Sequence, residues 1–222
     1  MRRMAVRYIL GLDLGPAADP TGLAVVERGK AEGGPTYAVR HLVRFPPGTP
    51  FPAVAAEVAD ATRDGGLGRP PVVCDLTAVG PTVLPVLRKA GLHVTPVALT
   101  MALDAAEVDR VWRVPKRDLV TGLQLALQQR RLKVAPDLPE ADLLVRELHA
   151  FRAAVTLGST DPAAAADWRA RPGDDLVLAV ALAVWWADRH PDHGPDVYAA
   201  GGSELLAFLD RLFPPQPRPA GW

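Results

Sequence analysis

Short apolar runs separated by turn-forming residues dominate the first part of the chain. Residues 7–13 (RYILGLD) form one run that ends in an acid, and residues 23–27 (LAVVE) follow after the loop GPAADPTG. A third run covers residues 36–45 (TYAVRHLVRF), beyond a glycine-containing turn. Runs of this length and composition predict strands, and their short connections predict a three-strand antiparallel meander.

The pattern then changes to alternating helices and strands. Residues 51–64 predict a helix that Gly65 and Gly66 end, and residues 70–75 (PPVVCD) predict a short strand that again ends in an acid. A helix over 79–91 and a strand over 93–99 follow. Strand–helix–strand connections of this kind predict parallel pairing in a sheet covered by helices on both faces.

The remaining segments are mostly helical. Apolar periodicity and flanking residues predict, in order, a helix over 115–131, an extended piece over 131–136, a helix over 138–151, a strand over 151–158 and a long apolar helix over 174–190. The tail differs, because SELLAFLDRLF predicts one short amphipathic helix and PPQPRPAGW is proline-rich. We therefore expect an α/β domain over residues 1–190, with a mixed central sheet, and a C-terminal appendage over 191–222.

Composition narrows the functional classes. The single cysteine among 222 residues excludes an internal disulfide and a zinc site built from several thiolates. No stretch approaches the roughly 18 apolar residues of a membrane span, so we expect a cytoplasmic protein with no membrane partner. The net charge of zero counts against strong nonspecific binding of DNA along the whole surface. Basic residues do concentrate between positions 110 and 133, which indicates either a local DNA contact or a solvated helix face.

Four acids stand where predicted elements begin or end. Asp13 and Asp75 each end a strand, and Asp174 and Asp175 open the long apolar helix. Parallel strands present their carboxyl ends at one edge of a sheet, where clustered carboxylates need a cation to neutralise them. Mg²⁺ and Mn²⁺ prefer such oxygen ligands, and two ions about 4 Å apart can promote phosphodiester cleavage. Taken singly, each acid is also typical of a turn or a helix cap; we expect Asp174 mainly to cap and Asp175 mainly to bind metal.

Four segments together resemble the nuclease domain of phage terminase large subunits. GLDLGPAADPTGLAVVE is similar to the opening of those domains, and VVCDLTAVGPTVLPVLRKAGLHVTPVALT is similar to their second block. VPKRDLVTGLQLALQQRRLKVAP and GDDLVLAVALAVWWA resemble the third and closing blocks. The resemblance runs in order from about residue 7 to residue 190.

The resemblance implies an RNase H-like fold and two-metal cleavage of DNA. Asp13, Asp75 and Asp175 match the catalytic acids of the family, and Asp174 matches an auxiliary metal ligand. The implied cofactor is a pair of Mg²⁺ or Mn²⁺ ions. Lys116 matches a basic position of the third block. Together with the neighbouring basic residues of that segment, it gives the expected DNA contacts: Lys116, Arg117, Arg113 and Arg131.

Two departures from the family pattern affect the expected function. Gly173 stands where the family usually has histidine, which removes a possible proton carrier. The chain also contains no Gly-x-x-x-x-Gly-Lys-Ser/Thr phosphate loop, so the ATPase motor of a terminase is absent from this sequence. The expected partners are DNA and a separate terminase ATPase or a portal-type protein.

Three alternatives stay open from the sequence. A Holliday-junction resolvase has the same fold, but the long segment between Leu99 and Leu138 favours a terminase nuclease. An actin-like kinase also opens on Asp-Leu-Gly, yet Thr21 lies six residues after Gly15 and no second copy of the motif occurs. An inactive scaffold that binds DNA or a protein agrees with the glycine at position 173 and the neutral charge.

Overall fold

The computed structural model describes residues 5–64, 67, 69–135, 137–157, 173–191 and 197–198. Its strands are β1 (Ala5–Asp13), β2 (Thr21–Ala31), β3 (Gly34–Phe45), β4 (Pro71–Asp75), β5 (His93–Thr100), β6 (Ala106–Val108), β7 (Val111–Pro115), β8 (Leu132–Val134) and β9 (Val197–Tyr198). Its α-helices are α1 (Phe51–Asp64), α2 (Leu84–Lys89, after a 3-10 turn at Pro81–Val83), α3 (Lys116–Gln128), α4 (Ala141–Leu157) and α5 (Asp175–Arg189).

The strands form one mixed sheet in the order β6-β7-β5-β4-β1-β2-β3-β8, and β9 pairs with the beginning of β1. β1, β2 and β3 are antiparallel neighbours, which confirms the predicted meander. β1, β4, β5 and β7 run parallel. The β4–β5 pair confirms the parallel pairing predicted from the strand–helix–strand pattern of residues 70–99. The order places β1 and β4 side by side at the centre, with the carboxyl ends of both strands at one edge.

Two sequence predictions differ from the structure. Residues 151–157, predicted as part of a strand, continue helix α4 to Leu157. The segment between β5 and α3, for which no element was predicted, forms the antiparallel hairpin of β6 and β7 at the edge of the sheet. The predicted tail helix over 203–213 and the proline-rich end lie outside the described residues.

Alternating residues of each central strand supply two separate apolar cores. Ile9 of β1 faces the core formed with α3, α4 and α5, whereas Leu10 and Leu12 face the core formed with α1 and α2. This alternation with a period of two confirms that helices cover both faces of the sheet. Among the described residues, no helix is long and apolar enough to cross a membrane.

Helix α5 lies directly on the sheet because two glycines leave room for its backbone. A Cβ atom added to Gly11 of β1 would lie 1.8 Å from the carbonyl oxygen of Ala179, and one added to Gly22 of β2 would lie 2.4 Å from that of Asp175. Any side chain at these positions would push the helix away. The position of Asp175 above the sheet therefore depends on Gly22.

Candidate functional site

A row of four residues in register crosses the central strands and forms the floor of the site. Asp75 of β4 pairs with Asp13 of β1, Asp13 pairs with Gly22 of β2, and Gly22 pairs with Arg44 of β3. Residues in register on neighbouring strands, which lie about 4.8 Å apart, project to the same face of the sheet. The structure thus brings Asp13 and Asp75 together on the face that α5 covers, as the sequence predicted.

The first turn of α5 lies over this row and brings Asp175 to it. The Asp175 carboxylate is 4% exposed. It accepts two hydrogen bonds from the Arg44 guanidinium, at 2.9 Å to Nε and 3.0 Å to the terminal nitrogen. Such a two-pronged pair is among the strongest charge-assisted contacts in proteins. Arg44 was not predicted as a site residue, because its strand shows no sequence signal beyond alternation.

Asp174 does not cap the helix, which corrects the role expected for it. The residue occupies the N-cap position, but its side chain makes no capping hydrogen bond. Its Oδ2 atom instead accepts a hydrogen bond of 3.0 Å from the Nζ of Lys116, the first residue of α3. Lys116 carries a full positive charge, whereas the backbone N–H groups are only dipoles, so the ion pair adds an attraction between opposite charges that a cap lacks.

Thr77 fixes the Asp75 carboxylate just beyond the end of β4. Both the backbone N–H and the hydroxyl of Thr77 donate to Asp75 Oδ1, at 2.9 and 2.5 Å. The same hydroxyl oxygen accepts a hydrogen bond of 2.7 Å from the N–H of Leu99 on β5. Asp75 is 5% exposed, so these contacts hold a nearly buried carboxylate in one orientation.

Glu147 of α4 supplies the hydrogen-bond acceptor that Asp174 does not. Its Oε2 atom accepts hydrogen bonds of 3.0 Å from the backbone N–H groups of both Leu176 and Val177. Glu147 is 4% exposed and was not predicted as a site residue. The sequence did contain a signal for it. Glu147 follows Leu144 by three positions, so it is a charged residue on the apolar stripe of an amphipathic helix.

The electrostatic environment disfavours negative charge on the central carboxyl groups. Burial first, and then the nearby carboxylates of Asp75, Asp174 and Asp175, raise the pKa of Asp13 well above its usual value, against the opposing effect of Lys116. Burial also raises the pKa of Asp75, although its hydrogen bonds from Thr77 act in the opposite direction. The strand register that places Asp13 next to Asp75 is the geometric cause of their repulsion, because like charges on neighbouring strands lie close together.

The same two causes act on Glu147, whose pKa rises to about 8. Burial is the larger cause and the charge of Asp175 follows, while the hydrogen bonds from α5 and the guanidinium of Arg44 partly offset them. Negative charge is therefore unfavourable on Glu147, as it is on Asp13 and Asp75.

The acids are not already arranged as a ready set of metal ligands. Among the described residues, no three His, Cys, Asp or Glu side chains form a group that could hold an ion as they stand. Two of the acids are held in ion pairs instead: Arg44 binds the Asp175 carboxylate and Lys116 binds that of Asp174. A cation that took these two carboxylates as ligands would have to compete with Arg44 and Lys116.

The predicted basic residues do not form one surface. Lys116 is 9% exposed and lies among the acids, and the side chain of Arg117, the next residue, is 58% exposed. Arg113 is exposed on β7, but it alternates with Trp112, which contacts Trp185 of α5 on the face that carries the acids. The side chain of Arg113 therefore projects to the opposite face of the sheet.

Arg131 lies at the other edge of the sheet, next to β3 and β8. It donates to the Pro35 carbonyl at 3.4 Å, pairs with Asp188 at 3.7 Å and lies over the ring of Tyr37. Its side chain is 14% exposed. These contacts give Arg131 a structural role far from the acids, and we leave it out of the site.

Gly173, which stands where the resemblance leads one to expect histidine, has a backbone that suits glycine. Its φ angle is +99°, in the left-handed region that other residues rarely adopt, and a Cβ atom there would contact none of the described residues. The glycine thus allows the chain to turn sharply just before Asp174. Asp19 lies in the first loop, where its backbone N–H donates to the Pro16 carbonyl at 2.8 Å and closes a turn.

Solved structures with the same fold include two nuclease domains of terminases. The large terminase nuclease from thermophilic phage G20c with bound magnesium matches with a TM-score of 0.52 and 20% identity, over 81% of this chain and 80% of that one. The human cytomegalovirus terminase nuclease domain, soaked in manganese and with an inhibitor bound, matches with a TM-score of 0.52 and 12% identity, over 87% and 89% of the two chains. No protein-family model and no curated protein matches the chain. The structural matches establish the RNase H-like fold of terminase nuclease domains.

Proposed function

We propose that this chain is a metal-dependent endonuclease that cleaves DNA phosphodiester bonds by a two-metal mechanism. The catalytic acids in this proposal are Asp13, Asp75 and Asp175, with Asp174 as a further metal ligand. The observation that carries it is the alignment of Asp13 with Asp75 on neighbouring parallel strands, beneath the first turn of α5. The likeness in fold to terminase nucleases with bound magnesium or soaked in manganese supports it.

The chemistry of the donor set fits a hard divalent cation. Asp13, Asp75, Asp174 and Asp175 offer only carboxylate oxygens, which are the ligands that Mg²⁺ and Mn²⁺ prefer. Burial and mutual repulsion make the charged forms of Asp13 and Asp75 unfavourable without such an ion. When bound, Mg²⁺ or Mn²⁺ neutralises this charge, polarises the phosphate and lowers the pKa of a water ligand.

The residues of the chain orient the groups that react. Thr77 fixes Asp75 and the strand register fixes Asp13 beside it, while Arg44 holds Asp175 next to them until a cation competes for its carboxylate. Hydrolysis adds one water across a P–O bond and leaves a phosphate monoester and a hydroxyl group. Lys116 and Arg117 adjoin this edge and are the residues that we expect to contact the DNA phosphates.

A plasmid-nicking assay tests the proposal. We expect the wild-type protein to nick supercoiled plasmid with Mn²⁺ or Mg²⁺ and to stop when EDTA is added. Asp13→Asn and Asp75→Asn should each lower the rate on the order of 1,000-fold or more. The loss should occur without loss of folding, because removing a charge relieves the repulsion that raises the pKa of both residues. Asp142→Asn, at an exposed position on α4, is the matched control and should cut like wild type.

An inactive scaffold is a second candidate, and the two ion pairs favour it. Lys116 and Arg44 already compensate Asp174 and Asp175 without any metal. A scaffold predicts that the protein binds DNA and cuts none of it in Mg²⁺ or Mn²⁺. Retention of nicking in both Asp13→Asn and Asp75→Asn would equally reject the proposed active site.

A further inference from the structure

Glu147 connects helix α4 to the start of α5, beside the acids of the site. We propose that Glu147 is a positioning residue, which fixes Asp174 and Asp175 by accepting the first N–H groups of α5. The inference rests on the proposed function, because it concerns where the metal-binding carboxylates stand. Glu147 contributes no metal ligand in this scheme and acts only through the helix.

The N-terminus of α5 lacks the usual local cap. A helix leaves its first four N–H groups without partners in the helix, and a side chain at the N-cap residue normally accepts one of them. Here that residue is Asp174, whose carboxylate binds Lys116 instead. Glu147 accepts the N–H groups of Leu176 and Val177, both at 3.0 Å, from a helix almost thirty residues earlier.

Three contacts together define the position of Asp175. Gly22 lets the Asp175 backbone rest on β2, Arg44 holds its carboxylate from β3, and Glu147 holds the two residues that follow it. Each contact comes from a different element. A shift of α5 would therefore break at least one of these contacts. Of the three, the contact from Glu147 is the one that holds the helix backbone by hydrogen bonds.

The second carboxylate oxygen of Glu147 indicates that this residue does more than stabilise the fold. Among the described residues, Oε1 of Glu147 is buried without a hydrogen-bond partner. A buried oxygen without a partner lowers stability. A serine or threonine at the N-cap would satisfy the helix without that cost. The arrangement has a reason if the Asp174 carboxylate serves as a metal ligand. Glu147 of α4 then accepts the N–H groups that Asp174 would otherwise cap.

Two variants of similar size separate the hydrogen-bonding role from packing. Glu147→Gln keeps an oxygen that accepts both N–H groups, whereas Glu147→Leu fills a similar volume without an acceptor. Asp142→Asn removes a charge from an exposed position of the same helix and serves as the control. Amide exchange of Leu176 and Val177 reports on the helix start, and calorimetric titration with Mn²⁺ reports on the site.

We expect Glu147→Leu to exchange the two amides at least about 10-fold faster, because both N–H groups lose their acceptor. It should also bind Mn²⁺ about 10- to 100-fold more weakly. Glu147→Gln should restore both measurements to within about threefold of wild type, as should Asp142→Asn. Unchanged exchange in Glu147→Leu, or equal loss in both Glu147 variants, would overturn the inference. Faster amide exchange in Glu147→Leu with unchanged Mn²⁺ affinity would mean that Glu147 only caps the helix. That result would also overturn the inference.

The two proposals fail in different ways. Wild-type protein that binds no Mn²⁺ would refute the proposed function, and amide exchange would still show whether Glu147 holds the start of α5. Normal metal binding and cleavage in Glu147→Leu, alongside inactive Asp13→Asn, would refute the positioning role alone.

Discussion

Gly22→Ala tests whether the contact between α5 and β2 sets the site. The added Cβ atom would lie 2.4 Å from the carbonyl oxygen of Asp175 and 3.1 Å from the nitrogen of Leu176, whereas ordinary contact begins at 3.4 Å. The start of α5 must therefore retreat by about 1 Å, because the obstacle is backbone and cannot rotate away. Overpacking of this kind costs about 1–3 kcal/mol of stability. A displacement of about 1 Å in a catalytic group can lower the rate on the order of 100-fold.

Gly29→Ala provides the matched control in the same strand. There the added Cβ atom would meet, among the described residues, only the Thr36 hydroxyl at 2.9 Å, and that side chain can rotate. We expect the free energy of unfolding of Gly29→Ala to stay within about 0.5 kcal/mol of wild type, as for most surface substitutions. Urea denaturation and plasmid nicking in Mn²⁺ measure the two effects. Equal stability and equal nicking of Gly22→Ala and Gly29→Ala would refute the argument that Gly22 places Asp175.

Two further predictions concern buried charge. Arg44→Gln should lower the free energy of unfolding by about 1–3 kcal/mol, because it leaves the Asp175 carboxylate buried without its partner, and the partial exposure of Arg44 limits the loss. Adding Asp175→Asn should recover much of that loss, so additive effects in the double-mutant cycle would contradict the pairing. Burial lowers the pKa of His41 from 6.5 to about 4. The unfolded chain therefore takes up the proton first, and this contribution to stability is present above pH 6.5 and is lost as the pH falls towards 4. Relative to His41→Leu, wild type should lose on the order of 3 kcal/mol across that interval, and parallel pH profiles of the two proteins would exclude the assignment.

Local patterns were sufficient to predict the elements that carry the acids. The apolar run that ends at Asp13, the run that ends at Asp75 and the apolar helix that opens at Asp175 all appear in the structure with nearly the predicted bounds. Side-chain periodicity depends on neighbours a few residues away, so the sequence alone contains it. The parallel pairing of β4 with β5 also followed, since a helix connection between strands favours it. No such connection joins β1 to β4, and the sequence left their pairing open.

The partners of those acids depended on the tertiary structure. Which residue lies opposite Asp13 depends on strand register, and register placed Gly22 there with Arg44 beyond it. A capping role was predicted for Asp174, but helix packing brought Lys116 to its carboxylate and made Glu147 the acceptor for the first turn of α5.

A sequence pattern determines which face of an element is apolar, and here it determined the sheet, the helices and the strand ends where acids stand. It does not determine which charged group from a distant element reaches a given carboxylate. The partner of each carboxylate depends on the distances between helices and strands, and these distances are set only when the whole chain has folded. Electrostatic contacts act over a few ångströms, so small differences in packing decided whether Arg44, Lys116 or Glu147 became a partner in the site.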